Sequence, residues 1–139
     1  KSDAKAMIWG LTLGSSKVHV VRAALESIAY QVKDLIDMMT KHSGAQLHEL
    51  RVDGGPTKNK FLMQFQADML GTTISPSDVE EASALGAVIM NGFARKVWTS
   101  FEEVAALRTS ENTIRPQMPQ QDVDKLYAGW SNAVKKLTE

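Results

Sequence analysis

The chain of 139 residues has the length of one ordinary domain, with 43% apolar and 23% charged residues. Sixteen Lys and Arg residues balance sixteen Asp and Glu residues, so the formal net charge is zero. This balance argues against nucleic acid or a membrane surface as a partner. The absence of cysteine excludes a disulfide framework and a thiolate metal site, and it favours the reducing cytoplasm.

The start of the chain carries no targeting signal that the sequence reveals. No run of about eighteen apolar residues exists, which argues against a transmembrane helix, and the first ten residues lack the apolar core of a signal peptide. The chain begins at Lys1, and the apolar stretch "AMIWGL" follows almost at once. We therefore expect the sequence to be the interior of a longer protein.

The first forty-four residues predict a strand followed by a long helix. Ala6 to Leu11 is short, apolar and interrupted by Gly10, as a strand before a loop would be. A helix is predicted from about Lys17 to Lys41, with Ser15 or Ser16 as its cap and Gly44 at its end. The apolar positions expected to face the core recur at helical spacing: Val21, Leu25, Ile28, Val32, Leu35 and Met39.

The middle of the chain predicts a strand, a glycine turn, a helix and another strand. Leu47 to Val52 is too short for a helix and runs into Asp53-Gly54-Gly55. Asn59 to Leu70 has helical periodicity and is followed by Gly71, a typical C-terminal cap. Thr72 to Ser75 then predicts the next strand.

The last sixty residues predict three helices. Glu80 to about Lys96 contains the small-residue run 82–87, which would allow another backbone or a ligand to approach closely. Ser100 and Glu103 have the spacing of a capping box, so a short helix to about Leu107 should follow. After a polar loop, the final helix has one apolar face: Val123, Leu126, Tyr127, Trp130 and Val134.

Alternating strands and helices with short loops predict an α/β fold with parallel strands and helical crossovers. Three short strands are few for four or five helices, which again indicates that part of the sheet lies upstream. A strand edge left open in this way can pair with another chain. We therefore expect self-association or low solubility, and a homo-oligomer is the predicted state.

The turn Asp53-Gly54-Gly55 has two interpretations. Glycines after a strand let a bound group approach the backbone, and the unpaired N–H groups at the start of the next helix favour an anion such as a phosphate. A plain tight turn explains the same residues, and on pattern alone it is the better supported of the two. His19, His42 and His48 lack metal-ligand spacing, and no catalytic nucleophile or metal ligand is predicted.

Several separated segments together resemble the C-terminal domain of the FGGY carbohydrate kinases. "AMIWGL", a seven-residue spacer and "HVVRAALE" fit the second signature of that family from Ala6 to Glu26. "RVDGGPTKNKFLMQFQADMLGT", "EASALGAVIMNG", "RPQM" and "LYAGWSNAV" follow in the family's order. The loop departs from the common pattern at Pro56, Thr57, Lys58 and Lys60, but the glycines and Asn59 remain.

This resemblance implies an actin-like, ribonuclease-H-like fold, of which residues 1–139 would be the C-terminal, nucleotide-binding portion. It implies ATP and ADP as ligands, Mg²⁺ between the phosphates, and glycerol or a sugar as the substrate of the whole enzyme. Gly55 would lie along the phosphates, Gly54 would shape the turn, and Asn59 would meet the adenosine end. The helix around Ala84, Leu85 and Gly86 would pack behind that pocket. The catalytic base and the substrate residues would lie upstream of this sequence.

Overall fold

The computed structural model describes residues 5–77, 82–106 and 112–138. Five helices and two strands lie in these ranges. The helices are α1 (Lys17–Ser43), α2 (Lys60–Leu70), α3 (Ala82–Ala94), α4 (Phe101–Ala105) and α5 (Gln120–Thr138), and the strands are β1 (Glu49–Val52) and β2 (Thr73–Pro76). A 3₁₀ turn, Gly55–Lys58, connects β1 to α2. The predicted α/β composition, with few strands and several helices, is confirmed.

Glycines end the two long helices of the first half, as predicted. Gly44 follows α1 with φ of 68°, and Gly71 follows α2 with φ of 61°. Both values lie in the left-handed region that glycine adopts without a steric cost. Half of the predicted capping box is present: the Ser100 side chain accepts a hydrogen bond from the main-chain N–H of Glu103, while the Glu103 carboxylate accepts from Thr99 rather than from the N–H of Ser100. Local sequence signals therefore set these helix ends.

The sheet consists of two parallel strands within the described part of the chain. β1 pairs with β2 from Glu49 opposite Thr73 to Val52 opposite Pro76, and α2 forms the crossover between them. The far side of β2 makes one antiparallel bridge, in which Ile74 and Ile114 exchange hydrogen bonds of 2.9 and 2.8 Å. The two predicted strands in the middle of the chain are thus confirmed within two residues of their predicted ends.

The strand predicted for Ala6 to Leu11 is not formed, so that prediction is wrong. Residues 6–11 belong to no β-ladder among the described residues, and Ile8 and Trp9 remain 63% and 61% exposed. A strand exists only where a neighbouring strand satisfies its main-chain groups. The apolar pattern indicates a segment suited to a sheet, but no partner strand pairs with it in the described structure.

Helix α2 is buried along most of its length and forms the centre of the core. Its buried side chains are Leu62, Met63, Phe65, Gln66, Ala67, Asp68 and Met69. The Phe65 ring contacts the edge of Tyr30 on α1 at a centroid distance of 5.5 Å, and Tyr30 stacks on Trp130 of α5 at 5.3 Å. These three rings join α1, α2 and α5 into one apolar cluster.

The predicted core-facing stripe of α1 is wrong, because the helix buries a different face. Ala29 and Tyr30 are the buried residues of α1. Of the predicted stripe, Leu25 and Val32 are half-buried and the others are exposed: Val21, Ile28, Leu35 and Met39. α1 therefore has two apolar faces, one packed against α2 and α5 and one without a covering element in the described residues.

Asp34 connects α1 to α5 through two hydrogen bonds. The Tyr127 hydroxyl donates to Oδ1 at 2.5 Å, and the indole N–H of Trp130 donates to Oδ2 at 2.8 Å. A carboxylate acceptor makes such bonds stronger than those between neutral groups. Tyr127 and Trp130 thus anchor α5 to Asp34 of α1.

The two core tyrosines make alkaline pH destabilising. Burial, followed by the charge of Glu26, raises the pKa of Tyr30 from 10.0 to about 12. Burial and the hydrogen bond to Asp34 likewise raise the pKa of Tyr127. A tyrosine in the unfolded chain ionises near pH 10. The contribution of the neutral phenols to the free energy of unfolding is therefore fully present below that pH and is lost as the pH rises toward 12.

We therefore expect the free energy of unfolding to fall between about pH 10 and pH 12, measured by urea denaturation at each pH. Tyr30→Phe retains the ring stacking but cannot ionise, so its unfolding free energy should fall less steeply over this range. Identical pH profiles for Tyr30→Phe and the parent chain would contradict this assignment.

Candidate functional site

The candidate site lies where the two parallel strands end. The carboxyl ends of β1 and β2 share one edge of the sheet, and the main-chain N–H of Ser77 donates to the Val52 carbonyl at 2.7 Å just beyond β2. Asp53, Gly54 and Gly55 leave β1 at this edge and lead into the 3₁₀ turn. The crevice beyond the carboxyl ends of parallel strands is where open α/β sheets bind ligands.

Gly54 gives the loop its shape. Its φ of 94° and ψ of 174° lie in a region that only glycine occupies without strain. Its carbonyl accepts two hydrogen bonds from Thr57, one from the main-chain N–H at 3.1 Å and one from the side-chain hydroxyl at 2.7 Å. Thr57 departs from the common family pattern, yet it closes the turn by its own side chain.

Gly55 leaves its main chain open. A Cβ placed on Gly55 would meet no atom within 4 Å, and the residue is exposed. Unlike Gly54, it does not have a positive φ, so its backbone conformation does not require glycine. The absence of a side chain here therefore serves no packing need of the fold, and it leaves space for a bound group to approach the backbone.

Asn59 is the N-cap of α2. Its side-chain oxygen accepts a hydrogen bond from the N–H of Leu62 at 3.1 Å, and its own N–H donates to the Pro56 carbonyl at 3.0 Å. Two of the four N–H groups that a helix start leaves without helical partners are satisfied in this way. The N–H groups of Lys60 and Phe61 have no partner among the described residues, so they are the donors that an anion could use.

The predicted small-residue contact behind the pocket is not present in the described structure. Ala84 and Leu85 are exposed, and a Cβ placed on Gly86 would meet nothing within 4 Å. The close contact on α3 is elsewhere: a Cβ on Gly92 would come within 2.1 Å of the Trp98 ring. Within the described part of α3, Gly92 is therefore the glycine that close packing requires, because any side chain there would overlap the Trp98 ring.

Sequence reasoning missed Asp68, a buried carboxylate on α2. Its Oδ1 accepts hydrogen bonds from the main-chain N–H groups of Gln117 at 2.6 Å and Met118 at 3.2 Å, and from the Gln64 side chain at 3.0 Å. These bonds attach the "RPQM" segment to the helix that carries the site. The signal was available, since Asp68 is the only acid in this helix and a buried carboxylate needs hydrogen-bond partners.

Neither a candidate metal site nor a membrane-spanning helix is found among the described residues. No group of three or more His, Cys, Asp or Glu side chains within them is arranged to hold a metal ion, and none of their helices is long and apolar enough to cross a bilayer. His42 is placed by its own helix, with Nδ1 at 2.7 Å from the Met38 carbonyl.

Comparison with known proteins gives consistent matches. The profile of the C-terminal domain of the FGGY family of carbohydrate kinases matches residues 1–95. A glycerol kinase from Geobacillus sp. (strain WCH70) is 46% identical over 96% of this chain, and one from Pseudomonas tolaasii is 47% identical over 98%. The chain spans 27% of the length of each of these relatives.

Solved structures share the fold. A crystal structure of Plasmodium falciparum glycerol kinase with ADP matches 99% of this chain and 28% of that one, with a TM-score of 0.89 and 39% identity. A xylulose kinase from Rhodospirillum rubrum matches 93% of this chain and 26% of that one, with a TM-score of 0.77 and 24% identity, which shows the fold alone. The predicted actin-like, ribonuclease-H-like fold class is confirmed.

The two adjacent glycines should respond differently to the same substitution. Gly54→Ala should lower the free energy of unfolding by about 1 to 3 kcal/mol because alanine is strained at this φ and ψ. Gly55→Ala should change it by less than about 0.5 kcal/mol because its Cβ enters open space. Urea denaturation of both variants checks the difference, and equal losses would contradict the loop geometry.

Proposed function

Because the chain belongs to the FGGY family of carbohydrate kinases, we propose that it is the C-terminal, ATP-binding portion of a glycerol kinase. In the whole enzyme the γ-phosphoryl group of ATP would pass to a terminal hydroxyl of glycerol, giving ADP and glycerol 3-phosphate. One observation carries the proposal. The similarity to glycerol kinases at 46% and 47% identity extends over 96% and 98% of the chain rather than over one motif.

The glycine loop is the proposed nucleotide site. Gly55 offers an open main chain for the phosphates, and Gly54, with its positive φ, directs the chain around them. Asn59 stands at the helix start beyond the turn and would meet the adenosine end. The remaining N–H donors of the first turn, with the positive end of the helix dipole, favour a negative group at this place. The solved Plasmodium relative with ADP supports a nucleotide as that group.

Mg²⁺ would reach the site with the nucleotide. Magnesium is commonly held by one or two carboxylates together with substrate phosphates, so a protein cage of several ligands is not needed. Its role would be to neutralise charge on the transferring phosphoryl group. On this chain, the exposed carboxylate of Asp53 at the entrance of the loop is the nearest acid in sequence to the proposed phosphate position.

Phosphoryl transfer needs more than a nucleotide site. The attacking hydroxyl must be positioned in line and must lose its proton to a base as the new P–O bond forms and the bond to ADP breaks. We place that base and the glycerol contacts in the part of the enzyme outside these 139 residues. The exposed apolar face of α1, from Val21 to Met39, is a surface that this remainder could cover.

Two alternatives remain as competitors. A sugar kinase of the same family, such as a xylulose kinase, would share the nucleotide site and differ in its substrate residues. A glycerol kinase should carry an Arg-Glu pair for glycerol in the sequence upstream of Lys1, which makes that sequence the simplest discriminator. A non-catalytic nucleotide-binding or interaction module would instead occur naturally as a 15.3 kDa species, detectable by mass spectrometry of the native product.

Gly55→Val tests the nucleotide site. The branched side chain would occupy the space proposed for the phosphates, so ATP affinity measured by calorimetry with Mg²⁺ should fall at least tenfold while the circular dichroism spectrum stays unchanged. Gly129→Val is the matched control, because Gly129 is exposed on α5 and its Cβ would also meet nothing within 4 Å. Unchanged affinity in Gly55→Val would return the loop to an ordinary turn.

The purified 139-residue chain should bind ATP without phosphorylating glycerol, because the catalytic base is expected elsewhere. A coupled assay for ADP release in the presence of glycerol and Mg²⁺ tests this, with the intact Pseudomonas tolaasii glycerol kinase as the positive control. Glycerol-dependent ADP release by the chain alone would contradict the placement of the catalytic residues.

A further inference from the structure

Thr57 makes two hydrogen bonds to one acceptor, the carbonyl oxygen of Gly54. Its main-chain N–H donates at 3.1 Å and its side-chain hydroxyl at 2.7 Å. The main-chain bond has the spacing of a 3₁₀ turn and would form with any residue that carries an N–H at this position. The hydroxyl bond depends on the side chain, so it is the part of the contact that threonine adds.

The peptide group between Gly54 and Gly55 has unusual freedom to rotate. Rotation about its flanking bonds exchanges the directions of its C=O and N–H groups and gives the second residue a positive φ. A side chain normally opposes this change, but glycine adopts positive φ about as readily as negative φ. The open main chain at Gly55 therefore brings a freedom that a binding site has to limit.

The two bonds from Thr57 fix the direction of this peptide. No peptide bond among the described residues is cis, so the C=O of Gly54 and the N–H of Gly55 point in opposite directions. Holding the carbonyl toward Thr57 turns the Gly55 N–H to the other side of the loop. The support is itself rigid, because Pro56 has a fixed φ and its carbonyl accepts the N–H of Asn59 at 3.0 Å.

We propose that Thr57 is a positioning residue of the nucleotide site, whose hydroxyl holds the Gly54–Gly55 peptide with the Gly55 N–H toward the phosphates of ATP. This inference rests on the proposed function, since it takes the glycine loop as the nucleotide site. The hydroxyl also strengthens the contact that the Gly55 N–H makes, because hydrogen bonds in a chain polarise one another. Thr57 thus acts on the phosphates through Gly55.

The size of the effect follows from the strength of one hydrogen bond. A neutral hydrogen bond changes an equilibrium constant by about two- to tenfold. When only part of the protein has the binding-competent conformation, the affinity falls in proportion to that part. The main-chain bond from Thr57 remains without the hydroxyl, so removing the hydroxyl should weaken ATP binding without abolishing it.

Two substitutions separate the hydroxyl from the rest of the side chain. Thr57→Val keeps the branched shape and removes the donor, whereas Thr57→Ser keeps the donor. In calorimetry with ATP and Mg²⁺, the dissociation constant should rise about three- to tenfold in Thr57→Val and stay within about twofold of the parent value in Thr57→Ser.

Thr40→Val is the matched control. The Thr40 hydroxyl likewise donates to main-chain carbonyls, those of Ile36 at 3.0 Å and Asp37 at 3.1 Å, but it does so within α1. Its removal deletes the same kind of bond outside the glycine loop. Thr40→Val should therefore bind ATP with the affinity of the parent chain.

Adenosine distinguishes positioning of the phosphates from a general loosening of the loop. It has no phosphates, so Thr57→Val should bind adenosine as the parent chain does. A variant whose whole loop is disrupted would lose affinity for adenosine and ATP alike. Retained adenosine binding also shows that the variant is folded.

Three results would overturn the inference while leaving the proposed function in place. Thr57→Val could bind ATP like the parent chain although Gly55→Val does not, Thr57→Ser could be as weak as Thr57→Val, or adenosine affinity could fall as far as ATP affinity. A parent chain that does not bind ATP would contradict the proposed nucleotide site, and this inference with it.

Discussion

The burial of α2 is the constraint on which the rest of the molecule depends. Seven of its eleven residues are buried, and the helix contacts α1, β2 and α5. Burying a leucine, methionine or phenylalanine side chain contributes about 1.5 to 3 kcal/mol, so this one helix supplies much of the apolar stabilisation. The Gln66 side chain adds a hydrogen bond to the Ala29 carbonyl of α1 at 3.4 Å. These contacts fix the position of α2 relative to its neighbours.

The position of α2 determines where the candidate site lies, because the glycine loop leads directly into this helix. α2 begins at Asn59, whose side chain caps the first turn, and the glycine loop must span the short distance from the end of β1 to that cap. At the other end of the helix, Asp68 holds residues Gln117 and Met118. The loop geometry is thus set from inside the core, and only Gly54 requires an unusual backbone conformation there. A rigid support with an open main chain is what a phosphate site needs.

Sequence reasoning predicted the elements whose signals are local. Gly44 and Gly71 ended helices as expected, and the strands on either side of α2 were predicted within two residues of their observed ends. The two wrong predictions concern features that hydrophobic periodicity does not determine. A helical stripe on α1 is apolar, but its sequence does not say which of two apolar faces meets α2. Residues 6–11 read as a strand, yet strand formation depends on a neighbour that the segment itself does not encode.

Contacts between residues far apart in the chain could not be predicted from the sequence either. Asp34 meets Trp130 across 96 positions, and Asp68 meets Gln117 across 49. Asn59 was predicted to lie at a helix start, and the structure adds that its amide oxygen is already used as the cap. The assignment of Gly54, Gly55 and Asn59 to the nucleotide stays a prediction. It rests on the open space at Gly55 and on similarity to glycerol kinases along the chain.

Amide hydrogen exchange with and without ATP and Mg²⁺ tests the central claim most directly, because it reports on each segment of the chain. We expect nucleotide to slow exchange in the peptides that cover residues 53–61, while exchange in α5 changes little. Slowed exchange elsewhere with no change at residues 53–61 would contradict the claim that the glycine loop is the nucleotide site.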